Sequence, residues 1–328
     1  MAYSCTGRTF AVNKPIIGLD IGGTAIKGAL FAEFGEIVAR NEIATPHDSG
    51  QEFFIDSLCD FVRGLVDGQA VDAVGLGIAG ILDPECTTLI ESPNMPVLRG
   101  MPLKAHLEQR LHCPVIIEND ANAAALGELQ AGAGRGHANF LFFTLGTGIG
   151  SGLILNSRLW RGEQGRAGEF GHLTVYPEGA LCGCGKRGCL EAHSSGTAIV
   201  RMAVEAMRQH SDTELRCHAD TPSALTPEIV YQLARAGDAV CRDIFKSMAR
   251  GLAIAIADVH NLLDMYTFIV GGGISRAYDY FSPMVMDDID QRVFSSARGR
   301  LRLLRAELGN DAGVYGAYYA AREALARL

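Results

Sequence analysis

The chain has 328 residues, 48% of them hydrophobic and 20% charged, with a net charge of −8. This is globular composition with length for two domains, and the negative balance argues against a surface built for a polyanion. No apolar run reaches the roughly eighteen residues of a membrane span, since Asp258 and His260 interrupt the most apolar stretch, Met248–Leu263.

The N-terminal MAYSCTGRTFAVNK lacks an apolar core, so no signal peptide is read there. Of nine cysteines, the six outside one cluster are scattered without a spacing pattern. That suits reduced thiols in a cytoplasmic protein better than a disulfide framework.

Residues 16–31 (IIGLDIGGTAIKGALF) read as strand, glycine turn, strand. Asp20 sits at the strand end beside Gly22-Gly23, a turn whose backbone N–H groups can cradle phosphate oxygens. Thr24 adds a hydroxyl and Lys27 a cation. A helical pattern follows over Gln51–Val66, then a strand over Ala73–Ile78. Gly75, Gly77 and Gly80 match the G-x-G-x-x-G spacing of a dinucleotide site, but those glycines should open a helix. They run instead into ILDPECTT, where Asp83-Pro84 signals a turn, so the dinucleotide reading is rejected. Gly80 is read as a close backbone approach to a ligand or another strand. No G-x-x-x-x-G-K-[ST] occurs, which excludes a P-loop NTPase.

Asn94 lies in a proline-rigidified loop, Ser92-Pro93-Asn94-Met95-Pro96. The strand Pro114–Ile117 leads into Glu118-Asn119-Asp120 and a helical run over Ala121–Ala131. Asp120 therefore falls at the carboxyl end of a strand, the usual place for ligands in open α/β sheets. The competing reading makes Asn119 or Asp120 a helix cap. Residues 140–155 (FLFFTLGTGIGSGLIL) repeat the strand–turn–strand pattern, with Gly146-Thr147-Gly148 at the turn, about 125 positions after the first.

Between Glu169 and Glu191, His172, Cys182, Cys184 and Cys189 supply one imidazole and three thiolates, interleaved with glycines. That is the donor set of a closed structural zinc site, with no place for a reactive water. The metal's expected part is to fix His172, and with it Glu169 and Glu191. Asn94, Asn119, Asp120, Glu169, His172 and Glu191 together form a set suited to several hydroxyls at once, which is sugar chemistry.

Helical patterns cover Gly196–Gln209, Pro227–Leu263 and Gly313–Leu328, and a buried strand, Tyr266–Val270, leads to a third glycine turn at Gly271-Gly272-Gly273. Strands interleaved with helices indicate an α/β fold, and the repeat indicates an internal duplication. A boundary at Asp120–Ala121 gives a smaller lobe over 1–120 and a larger one, carrying the zinc knuckle, over 121–312. The C-terminal helix is expected to return to the first.

These motifs resemble the ROK family of bacterial sugar kinases, which share the two-lobed actin/Hsp70/hexokinase ATPase fold with its duplicated βββαβα-type core. The carrying residues are DIGGT at 20–24, SPN at 92–94, END at 118–120, GTGIG at 146–150, EFGH at 169–172, CGCGKRGC at 182–189 with Glu191, and GGG at 271–273. The match runs from Ile16 to the C-terminus and is most similar to zinc-containing glucokinases and N-acetylhexosamine kinases. It departs at Asp264-Met265-Tyr266, where the family often has Asn/Asp-Pro.

The resemblance implies an ATP-dependent kinase acting on the 6-hydroxyl of glucose, with N-acetylmannosamine or N-acetylglucosamine as alternative substrates. Asp120 would be the general base. Gly80, Asn94, Asn119, Glu169, His172 and Glu191 would hold the sugar between the lobes. Asp20 would anchor Mg²⁺ through water, Gly22, Gly23, Thr24, Lys27, Thr147 and Gly148 would hold phosphates, and Gly271, Gly272 and Gly273 would lie against the adenosine. One zinc per chain and a homodimer or dimer of dimers are expected, with no nucleic-acid or membrane partner. The family's repressors carry an N-terminal DNA-binding domain, for which the fifteen residues before Ile16 are too few. Its polyphosphate-dependent members typically lack the knuckle, so ATP is the expected donor. A sugar-sensing regulator would need neither Asp120 nor the phosphate hairpins, and an actin-type assembly ATPase would need neither EFGH nor the knuckle.

Overall fold

The computed structural model describes residues 14–32, 35–46, 50–92, 94–218 and 221–327, the side chain of Pro222 excepted. Residues 1–13 of the segment read for a signal peptide, Pro93 of the SPN motif and Leu328 lie outside the described residues.

Two compact units account for the chain. Among the described residues, the first holds those up to Gly132, Arg161–Ala167 and those from Asn310 on; the second holds those of Ala133–Trp160 and Gly168–Gly309. In the first unit, β1 (Ile16–Ile21), β2 (Ala25–Phe31) and β3 (Ile37–Ala44) form an antiparallel meander. α1 (Gly50–Val66) follows, then β4 (Ala73–Ile78), a short hairpin of β5 (Ile81–Leu82) and β6 (Leu89–Glu91), α2 (Leu103–Leu111), β7 (Val115–Asn119) and α3 (Asp120–Ala131). The sheet order is β3-β2-β1-β4-β7, with β1, β4 and β7 parallel.

In the second unit, β8 (Phe140–Leu145), β9 (Ile149–Leu155) and β10 (Arg158–Leu159) repeat the antiparallel meander. A long excursion follows through α4 (Leu190–Ser194), α5 (Gly196–Gln209), α6 (Pro227–Ala236) and α7 (Ala239–Leu263). The chain then re-enters the sheet at β11 (Thr267–Gly271), and α8 (Tyr278–Ile289) leads to β12 (Arg302–Arg305). The order β10-β9-β8-β11-β12, with β8, β11 and β12 parallel, reproduces the first sheet strand for strand. The sequence repeat is thus a repeat of whole α/β units.

The last helix, α9 (Ala312–Leu325), belongs to the first unit. Missing side chains let it sit against the sheet: a Cβ on Gly18 would stand 2.3 Å from the Val314 carbonyl oxygen, and one on Gly75 1.9 Å from that of Ala317. α3 meets α9 the same way, with Gly127 under the Ala312 carbonyl and Gly316 under that of Ala123. Phe31 stacks on Tyr318 with ring centroids 4.3 Å apart, filling the rest of the layer. Because α3 is tied to α9, the division of the chain falls after Gly132, not at the expected Asp120–Ala121. Residues 161–167 also return to the first unit, which a single boundary does not anticipate.

The Gly75-Gly77-Gly80 spacing serves packing. Gly77 faces the Ala123 methyl, and Gly80, at φ +147°, lies where a Cβ would be 2.4 Å from the Glu91 carbonyl oxygen. Asp83 closes the turn after it, its carboxylate accepting the N–H groups of Thr87 and Thr88. The apolar pattern predicts one helix over Pro227–Leu263, but the chain breaks at Gly237. Gly237 takes the left-handed conformation at φ 106° that ends α6, and the Asp238 side chain accepts the Cys241 N–H to start α7.

Candidate active site

β1 delivers Asp20 to the carboxyl end of the first sheet, where Lys27 on β2 and Gly77 on β4 are its register partners. The carboxylate rests on Gly313 at the start of α9. Burial, and then the neighbouring Asp120, push its pKa up to about 6 against the pull of Lys27. The turn beyond it is closed by Gly22 N–H donating to the Ala25 carbonyl at 3.0 Å and braced by Thr45 Oγ1 donating to the Gly22 carbonyl at 2.7 Å. Asn94 packs directly on Gly23, its Cβ 3.0 Å from where a Gly23 Cβ would be. The expected phosphate turn and the expected sugar asparagine are therefore neighbours.

The cap reading of the END motif is met at Asn119, and Asp120 follows it as the first residue of α3. Asn119 caps α3: its Oδ1 accepts the N–H groups of Ala121 and Asn122 at 3.0 and 3.1 Å. Its Nδ2 donates to the Gly80 carbonyl at 3.2 Å and to Asp120 Oδ1 at 3.0 Å. Asp120 is thereby oriented by its neighbour, and burial pushes its pKa upward against those hydrogen bonds. Just before them, Glu118 is 2% exposed and ion-paired with Arg161. In the sequence Glu118 is no more than the first letter of a motif; its burial supplies the signal that spacing does not.

In the second unit the Gly146–Gly148 turn is closed by Gly146 N–H donating to the Gly148 carbonyl at 3.0 Å. The N-terminus of α5 holds its outer edge, Gly196 N–H donating to the Gly146 carbonyl at 2.9 Å and Thr197 Oγ1 to that of Thr147 at 2.8 Å. This edge opens on a cavity of about 710 Å³ lined by Thr147, Thr197, Val200, Arg201, Thr226, Tyr231, Phe245, Gly273, Ile274 and Arg276 among others. Of Gly271, Gly272 and Gly273, expected against the adenosine, Gly273 lines this cavity. Gly271 packs on the Phe142 ring and Gly272, at φ +81°, on the Leu145 carbonyl. Thr197, Arg201, Tyr231 and Arg276 carry no sequence motif, and the fold alone brings them to Thr147.

The knuckle is a small hairpin. Cys182 N–H donates to the Lys186 carbonyl at 2.8 Å and Gly185, at φ +87°, makes the turn. Gly188 leaves room for the Tyr176 carbonyl, which a Cβ would strike at 1.5 Å. One ligand atom from each of His172, Cys182, Cys184 and Cys189 lies within 4.8 Å of all the others. Cys184 Sγ and Cys189 Sγ are 3.6 Å apart, and Cys182 Sγ and His172 Nδ1 3.7 Å. Tetrahedral zinc, with bonds near 2.3 Å to sulfur and 2.0–2.1 Å to nitrogen, requires edges of about 3.8 and about 3.6 Å. The residues fit the ion. Burial pushes the Cys182 thiol up to about 12, while the Lys186 N–H holds that of Cys184 below its ordinary value.

His172 ends a short turn, Phe170–His172, that begins at the exposed Glu169. Gly171 in this turn covers the Ile149 carbonyl, while the Ile149 N–H donates to Glu191 Oε2 at 2.9 Å. Glu191 Oε1 lies 3.6 Å from Cys182 Sγ. The glycine hairpin, the EFGH turn and the knuckle thus converge on Ile149. Gly148, expected at phosphate, turns its Cα toward the Glu191 carboxylate.

Duplicated five-stranded sheets, each with a glycine hairpin between its first two strands, make this an ATPase fold of the actin/Hsp70/hexokinase class. Its family is shown by sequence: the ROK family profile matches residues 16–324, and the chain belongs to that family. A glucokinase from Streptomyces coelicolor is 39% identical over 315 residues, 94% of this chain and 97% of the relative. An N-acetylmannosamine kinase from Yersinia pseudotuberculosis is 33% identical over 94% of this chain and 99% of its own. The crystal structure of a ROK family glucokinase from Streptomyces griseus, in complex with glucose and AMPPNP, superposes with a TM-score of 0.80 at 39% identity, covering 94% of this chain and 99% of that one.

Proposed function

We propose that this protein is an ATP-dependent glucokinase that transfers the γ-phosphoryl group of ATP to the 6-hydroxyl of glucose. The observation that carries the reading is Asp120, a carboxylate at the carboxyl end of a sheet, held by Asn119 and raised in pKa by burial. One of its oxygens accepts from Asn119, and the other takes the proton as the sugar oxygen bonds to the γ-phosphorus. The bond from that phosphorus to the β-phosphate oxygen breaks, and ADP leaves. Phosphoryl transfer asks mainly for positioning and charge stabilisation, so a modest base suffices.

Asn94, Glu169, His172 and Glu191 accept or donate hydrogen bonds to the ring hydroxyls, with Gly80 and Asn119 supporting Asp120 from behind. With Nδ1 turned toward Cys182, His172 keeps Nε2 for the sugar. His172, Cys182, Cys184 and Cys189 would hold a zinc ion, which would fix that geometry and supply no reactive water. Gly22, Gly23, Thr24, Lys27, Thr147 and Gly148 face the phosphates, Asp20 would hold the Mg²⁺ that accompanies ATP, and the cavity at Thr197, Tyr231 and Gly273 takes the adenosine. Bound Mg²⁺ neutralises phosphate charge.

Glucose is favoured because the glucokinase relative is the more similar of the two kinases compared, 39% against 33% identity over the same share of the chain. N-acetylmannosamine is the second reading, with N-acetylglucosamine beside it. We further propose a cytoplasmic homodimer or dimer of dimers that feeds hexose phosphate into glycolysis. The thiols support the compartment, since the eight cysteines described are all unpaired. A coupled assay over a hexose panel tests the substrate. Phosphorylation of glucose well above both N-acetylhexosamines is expected, and a failure on glucose with rapid turnover of N-acetylmannosamine overturns it. ATP turnover without any hexose would instead indicate an assembly ATPase, and sugar binding without turnover a sensor.

A further inference from the structure

We infer that Arg161 is a positioning residue for the base Asp120, acting through Glu118. The inference rests on the reading of Asp120 given above and extends it to residues outside the sugar and nucleotide sets.

Glu118 is the last residue but one of β7, with its side chain 3% exposed, an expensive place for a charge that lacks partners. Both of its oxygens are engaged. Oε2 accepts from Arg161 Nε at 2.7 Å and pairs with Nη2 at 2.6 Å. Oε1 accepts the Asn119 N–H at 3.0 Å and Asn122 Nδ2 at 3.0 Å. Asn119 and Asn122 bracket the first turn of α3, and Asn119 in turn holds Asp120 Oδ1. Asn122 Oδ1 is buried with no hydrogen-bond partner among the described residues, so its amide is fixed by Glu118. The chain of contacts therefore runs from guanidinium to Glu118, to the Asn119 backbone, to the Asn119 amide, to the base.

Arg161 reaches this network from outside the β7–α3 segment. It begins the stretch Arg161–Ala167, which returns to the first unit between two portions of the second. Gly165 of that stretch, at φ +70°, lies against Pro84, and the Ala167 N–H closes on the Arg161 carbonyl at 3.0 Å. The Arg161 side chain is 40% exposed, whereas its partner is sealed, so loss of the arginine strands a carboxylate two residues from the base. An unpaired buried charge draws its remaining donors toward itself or draws water in, and either moves the Asn119 backbone that sets Asp120.

The test uses Arg161→Gln, Arg161→Lys, Glu118→Gln/Arg161→Gln and Asp120→Asn in the full chain, with kcat, KM for glucose and thermal unfolding measured on each. Positioning predicts that Arg161→Gln lowers kcat about 10- to 100-fold while KM for glucose moves less than about threefold. Arg161→Lys should recover part of the loss. The double variant should recover most of it, because the amide introduced by Glu118→Gln keeps an acceptor for Asn119 and Asn122 and carries no charge. A folded Arg161→Gln with kcat within about twofold of the parent overturns the inference, as does a rise confined to KM or a double variant no faster than the single. Should Arg161→Gln fail to fold, Glu118→Asp decides: it keeps the ion pair's charge but withdraws the carboxylate from Asn119. Lower kcat supports the link and unchanged kcat overturns it. An active Asp120→Asn would instead refute the base itself.

Discussion

Gly148 and Glu191 are in direct contact: a Cβ on Gly148 would stand 2.4 Å from Glu191 Oε2. The glycine's φ lies outside the left-handed region, so alanine fits its conformation and tests the contact alone. Gly148→Ala should push the carboxylate off the Ile149 N–H and raise KM for glucose by about tenfold, with KM for ATP little changed. Steady-state kinetics in both substrates check this. A rise in KM for ATP alone would mean that Gly148 serves the phosphates and not the Glu191 contact.

Asp120→Asn keeps the shape and the Asn119 contact and removes the base. We expect kcat to fall by at least ~10² with glucose affinity largely kept. Because burial raises the pKa of Asp120, the acid limb of the parent's pH–rate profile should lie above the ordinary aspartate range of about 3.9. Near-normal kcat in the variant would leave Asp120 as a helix-end residue only.

Asp20 has a pKa of about 6 in the fold, against an ordinary value of 3.8. A raised folded pKa means that the neutral form is the one the fold prefers. Its contribution is full below the unfolded pKa and is lost as pH rises through about 6. At neutral pH the ionised group thus costs about 3 kcal/mol of stability. Asp20→Asn should raise the unfolding temperature at pH 7.5 in the absence of nucleotide, show little effect near pH 4, and abolish phosphoryl transfer. An unfolding temperature lowered at both pH values would contradict this assignment.

Metal analysis of purified protein should find one zinc per chain. Cys184→Ser should lose the ion and most activity, because metal binding is coupled to local folding and holds His172. Active enzyme free of zinc would remove the metal from the account.

What can be read from the sequence is whatever is encoded locally. The hairpins at Gly22-Gly23 and Gly146–Gly148 announce themselves by β-branched runs around glycines, and the knuckle by three cysteines within eight residues, ten positions after His172. The span Gly196–Gln209 is legible because its apolar period is regular, with Ser195 capping it through the Ala198 N–H. The break at Gly237 escapes such a reading because the apolar pattern continues across it. Arg161 and Glu118 are 43 residues apart and belong to no shared motif; only tertiary folding makes them a pair. The glycine turn at Gly271 and Gly272 signals a close approach without saying to what, and in the fold its near neighbours are Phe142 and Leu145.

The lodging of α9 against β1 and β4 has a consequence for biosynthesis. The first sheet is complete in hydrogen bonding once β7 has been made, yet the face formed by Gly18 and Gly75 gains its cover only with Val314, Ala317 and Tyr318. The second unit waits for no such late piece, since all its segments precede Asn310. A nascent chain emerging from the ribosome therefore finishes its second half before its first. Until the final helix arrives, the β1–β4 face is a vacant groove available to chaperones or to misassociation between chains.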